Sequence, residues 1–206
     1  MNQTTVLKAK PRWHGWLREF GMLALLLGGI LAARSTLADH YVVPSGSMEH
    51  TLYPGDRVVV DKRAYGLRVP FTGIELSDGS DIRRGDVVIF DSPADGTRLI
   101  KRIVGVGGDR VSLRNGRIAV NGTLLGEVSE AAVERFGSRI VHLNLDNGGG
   151  PDLDVLIPAG QVLAIGDHRG NSRDSRYFGL VAADSVYARA VAVYWRRHEG
   201  PVWKSL

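Results

Sequence analysis

The sequence predicts an all-β domain, mostly antiparallel with a curled, barrel-like sheet, that follows one N-terminal transmembrane helix. Three observations support this prediction. Residues 20–33 are apolar and carry no charge. After residue 38 the chain has short β-branched runs separated by glycine-containing turns. No long amphipathic helical pattern occurs in that part, which therefore favours a sheet over a helical bundle.

The N-terminal segment is the first predicted element, and we expect it to be a membrane anchor. Residues 1–15 are polar and basic, which is typical of a cytoplasmic tail. A span needs about 20 residues, so the predicted span is 16–37, in which Arg18 and Arg34 lie near the ends and can reach the interface. By the positive-inside rule, residues 38–206 then form a domain outside the cytoplasm.

Two other interpretations of this segment are open. A short apolar stretch followed by Thr36-Leu37-Ala38 is also compatible with a cleavable signal peptide. A buried core helix is the third interpretation, although the segment has no polar stripe of the kind that a surface-facing side would need.

The predicted strands follow in the remainder of the chain. Their apolar runs are 58–60, 87–90, 100–106, 110–120, 161–165 and 186–195. Within 110–120, Asn115-Gly116 predicts a two-residue type I′ hairpin turn. Residues 127–158 fit the strand pattern least well and are predicted to form an insertion or cap over the sheet. The one helical pattern in this part runs from Ser129 to Phe136.

Composition excludes several classes of function. The net charge is +4, but acidic and basic residues are interleaved, so no nucleic-acid partner is expected. The absence of cysteine excludes disulfides, thiolate metal ligands, a cysteine nucleophile and a lipidated cysteine. Asp56, Asp61 and Asp86 lie at predicted turns and strand starts, where aspartate usually serves turn structure. We therefore expect no metal and no organic cofactor.

The motifs whose residue types could take part in catalysis lie in four segments: Pro44–Met48, Gly55–Val60, Lys101–Gly105 and Gly166–Arg176. Ser47 is a candidate nucleophile, although Ser-Gly-Ser is more often a plain loop. Lys101 lies in an apolar run and would be a neutral general base if it faced inward, or an exposed edge lysine if it faced outward. His168, with Asp167 or Asp174, leaves a Ser–His–Asp triad open as an alternative.

In order and approximate spacing, these four segments resemble the bacterial type I signal peptidase family over about residues 20–195. The resemblance implies a β-rich catalytic domain on the outer face of the cytoplasmic membrane and a Ser–Lys dyad. By position, Ser47 resembles the nucleophile and Lys101 the general base. The implied activity is endoproteolytic cleavage of signal peptides after Ala-X-Ala motifs in exported preproteins, without a cofactor.

The same resemblance implies roles for further residues. Ser45 resembles the oxyanion-hole side chain, and Ser172 resembles the serine that hydrogen-bonds and orients the lysine. Asp174 and Arg176 resemble a structural pair that holds their loop near the dyad. Six residues match positions that line the small substrate pockets: Val43, Pro44, Met48, Leu52, Leu99 and Ile100. The implied partners are preprotein signal peptides, the lipid bilayer and the secretion machinery.

The sequence departs from the family pattern at four positions: His50, Gly107, His168 and Gly170. These departures leave open a specialised peptidase of a conjugation or dedicated secretion system. Another alternative is a catalytically inactive, membrane-anchored peptide-binding module. A self-cleaving Ser–Lys peptidase of the SOS-repressor type is disfavoured by the apolar segment, and a purely structural exported protein would make all four segments coincidental.

Overall fold

The computed structural model describes residues 16, 19–27, 38–68, 75–77, 79–126 and 132–206. The chain divides into two units, Met1–Ser35 and Thr36–Leu206. In the first unit, residues 19–27 are helical. Their large apolar side chains are exposed, namely Phe20, Met22, Leu23, Leu25, Leu26 and Leu27.

The predicted anchor is described only in part. The tail 1–15 and most of the span 16–37 lie outside the described residues. Among the helical residues that are described, no helix is both long enough and apolar enough to cross a membrane.

The second unit is mostly β-structure, and its described residues form sixteen strands. They are β1 (Ala38–Val42), β2 (Arg57–Asp61), β3 (Leu67–Arg68), β4 (Glu75–Ser77), β5 (Val87–Asp91), β6 (Arg98–Val106), β7 (Arg110–Arg114), β8 (Arg117–Val120), β9 (Thr123–Leu124), β10 (Val133–Phe136), β11 (Arg139–His142), β12 (Leu153–Leu156), β13 (Gln161–Ile165), β14 (Val181–Ala182), β15 (Val186–Arg196) and β16 (Gly200–Ser205). One short helix, α1 (Ser175–Phe178), and two 3₁₀ turns, Gly46–Met48 and Ala183–Ser185, interrupt them.

The largest sheet has eight strands in the order β1-β2-β15-β5-β6-β13-β14, with β16 paired to β15. Every pairing between these strands is antiparallel. The antiparallel prediction is therefore confirmed. The hydrogen-bonded order of strands in this sheet ends at β1 on one side and at β14 on the other. The described strands therefore do not close into the barrel-like form that was expected.

A second sheet has the strand order β12-β7-β8-β9. Its central hairpin, β7–β8, turns at Asn115 and Gly116, whose φ angles are 50° and 78°. Both central residues of a type I′ turn need positive φ, which asparagine and glycine adopt more easily than other residues. The hairpin prediction is confirmed.

The segment that was expected to be an insertion is built from two separate pieces. Strands β10 and β11 form a hairpin of their own, whereas β12 pairs with β7 in the second sheet. The helical interpretation of Ser129–Phe136 is wrong for its described part, because Val133–Phe136 is strand β10. Cross-strand pairing with β11 and burial of the Glu134 carboxylate against Arg169 fix this extended conformation.

The core of the largest sheet lies on both of its faces. In β5, Val87 and Ile89 belong to one buried cluster, and Val88 and Phe90 belong to another. A strand that is buried on both faces reads as a continuous apolar run, as 87–90 does. Because β6 lies between β5 and β13, its central residues are inside the sheet and shielded from water.

Candidate active site

Ser47 lies in the 3₁₀ turn that follows β1 and is 7% exposed. The Glu49 amide donates to the Gly46 carbonyl at 3.1 Å and closes the turn. Met48 is fully buried in the same cluster as Val43, so it anchors the turn to the sheet. The Ser47 side chain is thereby held at the end of a packed strand and not on a free loop.

Lys101 lies in the middle of β6, opposite Val88 of β5. Only 2% of its surface is exposed. Alternation along the strand places Leu99 and Ile103 on the same side, and both pack against the cluster that contains Val88. Its Nζ donates a hydrogen bond of 2.6 Å to Ser47 Oγ, which brings together two residues that are 54 positions apart in sequence.

Burial changes the acid–base character of this lysine. Removal from water disfavours the charged ammonium and lowers the pKa of Lys101 to about 8. The carboxylates of Asp174 and Asp167 act in the opposite direction, because negative charge favours the ammonium form, but the effect of burial is larger. The side chain can therefore lose its proton at a pH where an ordinary lysine remains charged.

Ser45 lies two residues before Ser47 and is exposed. Its Oγ donates to Ser47 Oγ across 3.3 Å. Its backbone is extended and its side chain does not cap the 3₁₀ turn. The hydroxyl is consequently beside the candidate nucleophile and available to a group bound there.

The loop Gly166–Arg176 packs directly against the nucleophile turn at Gly166. A Cβ at this position would lie 2.5 Å from the Ser47 carbonyl oxygen and would overlap the Ser172 hydroxyl. No residue with a side chain fits there without a shift of the backbone. Glycine is therefore required for the close approach of the two segments.

Asp174 and Arg176 hold this loop together. Arg176 Nε and Nη2 donate to the two oxygens of Asp174, at 2.7 Å each, and both side chains are fully buried. Asp174 Oδ2 also accepts from the Gly166 amide at 2.9 Å, and Arg176 Nη1 donates to the Gly149 carbonyl at 2.8 Å. The pair thus ties the two ends of the loop to each other and connects its second end to Gly149.

Ser172 is 7% exposed and lies against Gly166. Within the described part of the chain, its Oγ makes no hydrogen bond. The hydrogen bond to Lys101 that the family resemblance implied is therefore not formed in this structure. The hydroxyl is nevertheless buried on the loop that faces the nucleophile turn.

A second buried ion pair lies next to the dyad and was missed by sequence reasoning. Arg102 donates to both oxygens of Asp167, at 2.9 and 2.7 Å, and the two side chains are 2% and 1% exposed. Thr51 Oγ1 donates to Asp167 Oδ2 at 2.5 Å. An arginine inside an apolar strand, next to Lys101, is the sequence signal that predicts a buried partner.

His168 does not act on the Ser47 hydroxyl. Neither ring nitrogen makes a hydrogen bond with any described residue. The carboxylates that a triad would need are paired elsewhere, Asp167 with Arg102 and Asp174 with Arg176. The alternative of a Ser–His–Asp triad is therefore not supported by the geometry.

The six predicted substrate-pocket residues fall into three groups. Four are buried in one cluster beneath the nucleophile turn: Val43, Met48, Leu52 and Ile100. Leu99 is partly buried and packs against the cluster of Phe90, whereas Pro44 is exposed next to Ser45. Five of the six side chains thus have apolar neighbours.

Comparison with known proteins gives consistent similarities. The sequence model of the family described as signal peptidase, peptidase S26, matches residues 13–195. The chain is 32% identical over 205 residues to a probable signal peptidase I-2 of Synechocystis, with 95% of this chain and 80% of the relative covered. It is 34% identical over 191 residues to a signal peptidase I of Pseudomonas aeruginosa, with 80% and 67% covered.

Among solved structures, a signal peptidase I from Enterococcus faecalis is similar at 29% identity, with 60% of this chain and 97% of that chain covered and a TM-score of 0.40. The family match alone spans most of the 206 residues and includes every residue of the site described above. The chain therefore belongs to the signal peptidase family, peptidase S26.

Proposed function

We propose that Ser47 is the nucleophile and Lys101 the general base of this enzyme. Membership of the family makes the chain a signal peptidase I, a serine endopeptidase that acts on the signal peptides of preproteins. The observation that carries our proposal is the 2.6 Å contact between Lys101 Nζ and Ser47 Oγ, both of which are buried. A serine hydroxyl is a weak nucleophile until an adjacent base removes its proton.

The protonation state of Lys101 supports this assignment. With a pKa of about 8, about one tenth of the lysine is neutral at pH 7. A neutral amine accepts a proton from a hydroxyl, whereas an ammonium cannot. Burial thus supplies a base without a histidine or a metal.

The reaction then follows in two stages. Ser47 Oγ attacks the scissile carbonyl carbon while its proton moves to Lys101 Nζ, and the carbonyl oxygen becomes an oxyanion. The Ser45 hydroxyl and the Ser47 N–H would donate to that oxyanion. Lys101 then gives the proton to the leaving amine, the C–N bond breaks, and a serine ester remains. In the second stage, water that Lys101 deprotonates attacks the ester, which frees the signal peptide and restores the Ser47 hydroxyl.

The loop residues have a supporting role in this proposal. The buried Ser172 hydroxyl, which has no hydrogen-bond partner among the described residues, can accept a hydrogen bond from the Lys101 ammonium that forms during the reaction. Asp174 and Arg176, with both side chains fully buried, keep the loop against the dyad. An ammonium that is oriented in this way returns its proton to the leaving group and not to water.

The substrate would lie extended at the end of β1, next to Pro44 and Ser45. Extended peptides bind sheet edges through backbone hydrogen bonds, and side-chain pockets give the specificity. The four apolar residues beneath the turn, together with Leu99, would form shallow pockets for small side chains; the four are Val43, Met48, Leu52 and Ile100. Cleavage after Ala-X-Ala follows from such pockets.

We further propose a single-pass topology in a bacterial cytoplasmic membrane, with 1–15 inside, 16–37 as the anchor and 38–206 outside. The exposed apolar side chains of the helical residues 19–27 support the anchor. The partners would be the bilayer, the signal peptides and the secretion machinery that delivers them.

The proposal is tested with the full chain reconstituted in liposomes and a preprotein whose signal peptide ends in Ala-X-Ala. We expect Ser47→Ala and Lys101→Ala each to lower the cleavage rate by about 10³-fold or more. Lys204→Ala is the matched control, because Lys204 is an exposed lysine of β16 and should keep wild-type activity. Mass spectrometry of the products identifies the bond that is cut.

Two results would refute the assignment. One is a Lys101→Ala enzyme that is folded and still cleaves at a rate near that of the wild type. The other is a Ser47→Ala enzyme that cleaves the same bond. Substitution of leucine for either alanine of the motif should suppress cleavage, and unchanged cleavage would exclude small pockets.

A further inference from the structure

His168 is a buried side chain to which the mechanism above assigns no task. It is 6% exposed, and neither ring nitrogen makes a hydrogen bond within the described residues. The nearest charged atom is Glu49 Oε2, at 3.3 Å from Nδ1, although the two are not aligned as a hydrogen bond. Burial of an imidazole without partners is unfavourable, so this placement calls for an explanation.

The turn that carries Ser47 is too short to fix its own geometry. It has three residues, Gly46–Met48, and one backbone hydrogen bond closes it, from the Glu49 amide to the Gly46 carbonyl. Ser45, before the turn, provides no side-chain cap. Short 3₁₀ turns gain little stability from their own bonds, so contacts from outside must set the direction of the Ser47 N–H.

His168 and Glu49 supply such contacts from two directions. The His168 amide donates to the Ser47 carbonyl at 3.1 Å. The Glu49 carboxylate covers Gly46, since a Cβ there would lie 2.5 Å from Glu49 Oε1. The imidazole, which is far more buried than Glu49, lies against that carboxylate, with 3.3 Å between Nδ1 and Oε2. The Glu49 carboxylate thus restricts the chain at Gly46, before the Ser47 N–H, and the His168 amide fixes the Ser47 carbonyl, which belongs to the following peptide.

We propose that His168 and Glu49 act as one positioning pair for the oxyanion-binding peptide between Gly46 and Ser47. This inference rests on the proposed function of Ser47. Glycine rotates more freely than any other residue, and the Glu49 carboxylate, held by the imidazole, removes that freedom at Gly46. The Ser47 N–H then already faces the position where the oxyanion forms.

The test compares Glu49→Ala, His168→Ala and the double variant with the wild type, in liposomes with the same preprotein. We expect each single substitution to lower kcat by about tenfold or more and to change KM by less than about threefold, because the oxyanion exists only after substrate binding. The double variant should be no slower than the slower single variant, since the two side chains act as a unit. His142→Ala, at an exposed histidine of β11, is the control.

A second measurement does not depend on activity. Hydrogen exchange of the His168 amide reports whether this amide remains hydrogen-bonded to the Ser47 carbonyl. We expect about tenfold faster exchange in Glu49→Ala than in the wild type and no change in the His142→Ala control. If the wild type showed no Ser47-dependent cleavage, the proposed function would fail, and this exchange rate would still decide whether the pair holds the turn.

Two outcomes would overturn the positioning pair. In the first, the losses in kcat multiply in the double variant, which would show that the residues act independently. In the second, Glu49→Ala keeps wild-type kcat and wild-type exchange. Glu49 is partly exposed, so its truncation leaves no buried cavity and provides the test even where His168→Ala does not fold.

Discussion

Replacement of Lys101 by methionine should make the protein more stable and inactive. Methionine is similar to lysine in length and volume, and it fills an apolar site without a charge. Lys101 lies opposite Val88, and strand alternation places Leu99 and Ile103 on the same side of the sheet. The proposed general base is therefore held in a site where burial favours an uncharged side chain.

The magnitude follows from the pKa of Lys101, which falls from 10.5 to about 8. At about 1.36 kcal/mol for each pH unit, a charged lysine at this site costs about 3 kcal/mol of folding free energy. Loss of the hydrogen bond to Ser47 offsets about 1 kcal/mol. Lys101→Met should therefore raise the free energy of unfolding by about 2 kcal/mol at pH 7.

The sign of the pH dependence is also fixed. Below about pH 8 the lysine is charged in both states, and the folded wild type carries the full cost. Between about pH 8 and pH 10.5 only the unfolded lysine holds the proton, so unfolding takes up a proton and wild-type stability rises with pH. The advantage of the methionine variant should consequently decrease towards zero near pH 10.

Urea unfolding in a mild non-ionic detergent, followed by tryptophan fluorescence at pH 7 and pH 10, measures this difference. Lys204→Met, at an exposed lysine, is the control and should change stability at neither pH. A Lys101→Met variant that is less stable than the wild type at pH 7, or whose advantage is the same at both pH values, would refute the reasoning.

For the wild type, kcat/KM should rise about tenfold per pH unit up to about pH 8 and then level off, because only neutral Lys101 accepts the Ser47 proton; a flat profile across neutral pH would contradict this. Gly166→Ala should lower both kcat and the free energy of unfolding, the latter by about 2 kcal/mol, because the new Cβ would lie 2.5 Å from the Ser47 carbonyl oxygen. An unchanged urea midpoint would argue against the close approach of Gly166 to the Ser47 turn. Asp167→Ala should lower the free energy of unfolding in urea by about 3–5 kcal/mol, because it leaves the buried Arg102 without its ion-pair partner. A loss below about 1 kcal/mol would mean that water or another carboxylate replaces the Asp167 side chain.

Rules that use only neighbouring residues, such as turn preferences and apolar runs, were sufficient to predict those parts of the fold whose partners are close in sequence. The β7–β8 hairpin followed from Asn115-Gly116, because the turn chemistry is contained in the two residues that adopt it. The strand at 87–90 followed from a run of apolar β-branched residues that is buried on both faces. Neither prediction required knowledge of the rest of the chain.

Lys101 shows where such rules end. From the sequence, an inward-facing base and an exposed edge lysine were both open, because periodicity does not reveal which strands flank β6. The strand order excludes an edge position, since β6 lies between β5 and β13, and packing on the face of the sheet leaves only 2% of Lys101 exposed. Family resemblance pointed to Ser47 and Lys101 by position, and their 2.6 Å contact is compatible with that assignment. The burial that lowers the pKa of Lys101 became visible only with the neighbouring strands.

The partners of several buried charged groups could not be predicted at all. Asp167 and its arginine are 65 residues apart, and Glu134 and Arg169 are 35 apart. No periodicity links such pairs, because tertiary packing alone brings them together. For the same reason the helical pattern over 129–136 was misleading: Glu134 faces inward towards an arginine that local sequence does not reveal.

The loop Gly166–Arg176, next to the proposed nucleophile, is held in place mainly by buried ion pairs and not by apolar packing. Asp167, Arg169, Asp174 and Arg176 all pair within it or from it, and their side chains are almost fully buried. Buried pairs are screened little by salt, and the penalty for removing ions from water falls as temperature rises. The catalytic geometry should therefore persist in concentrated salt, and on warming it should outlast the regions that depend on hydrophobic contact alone.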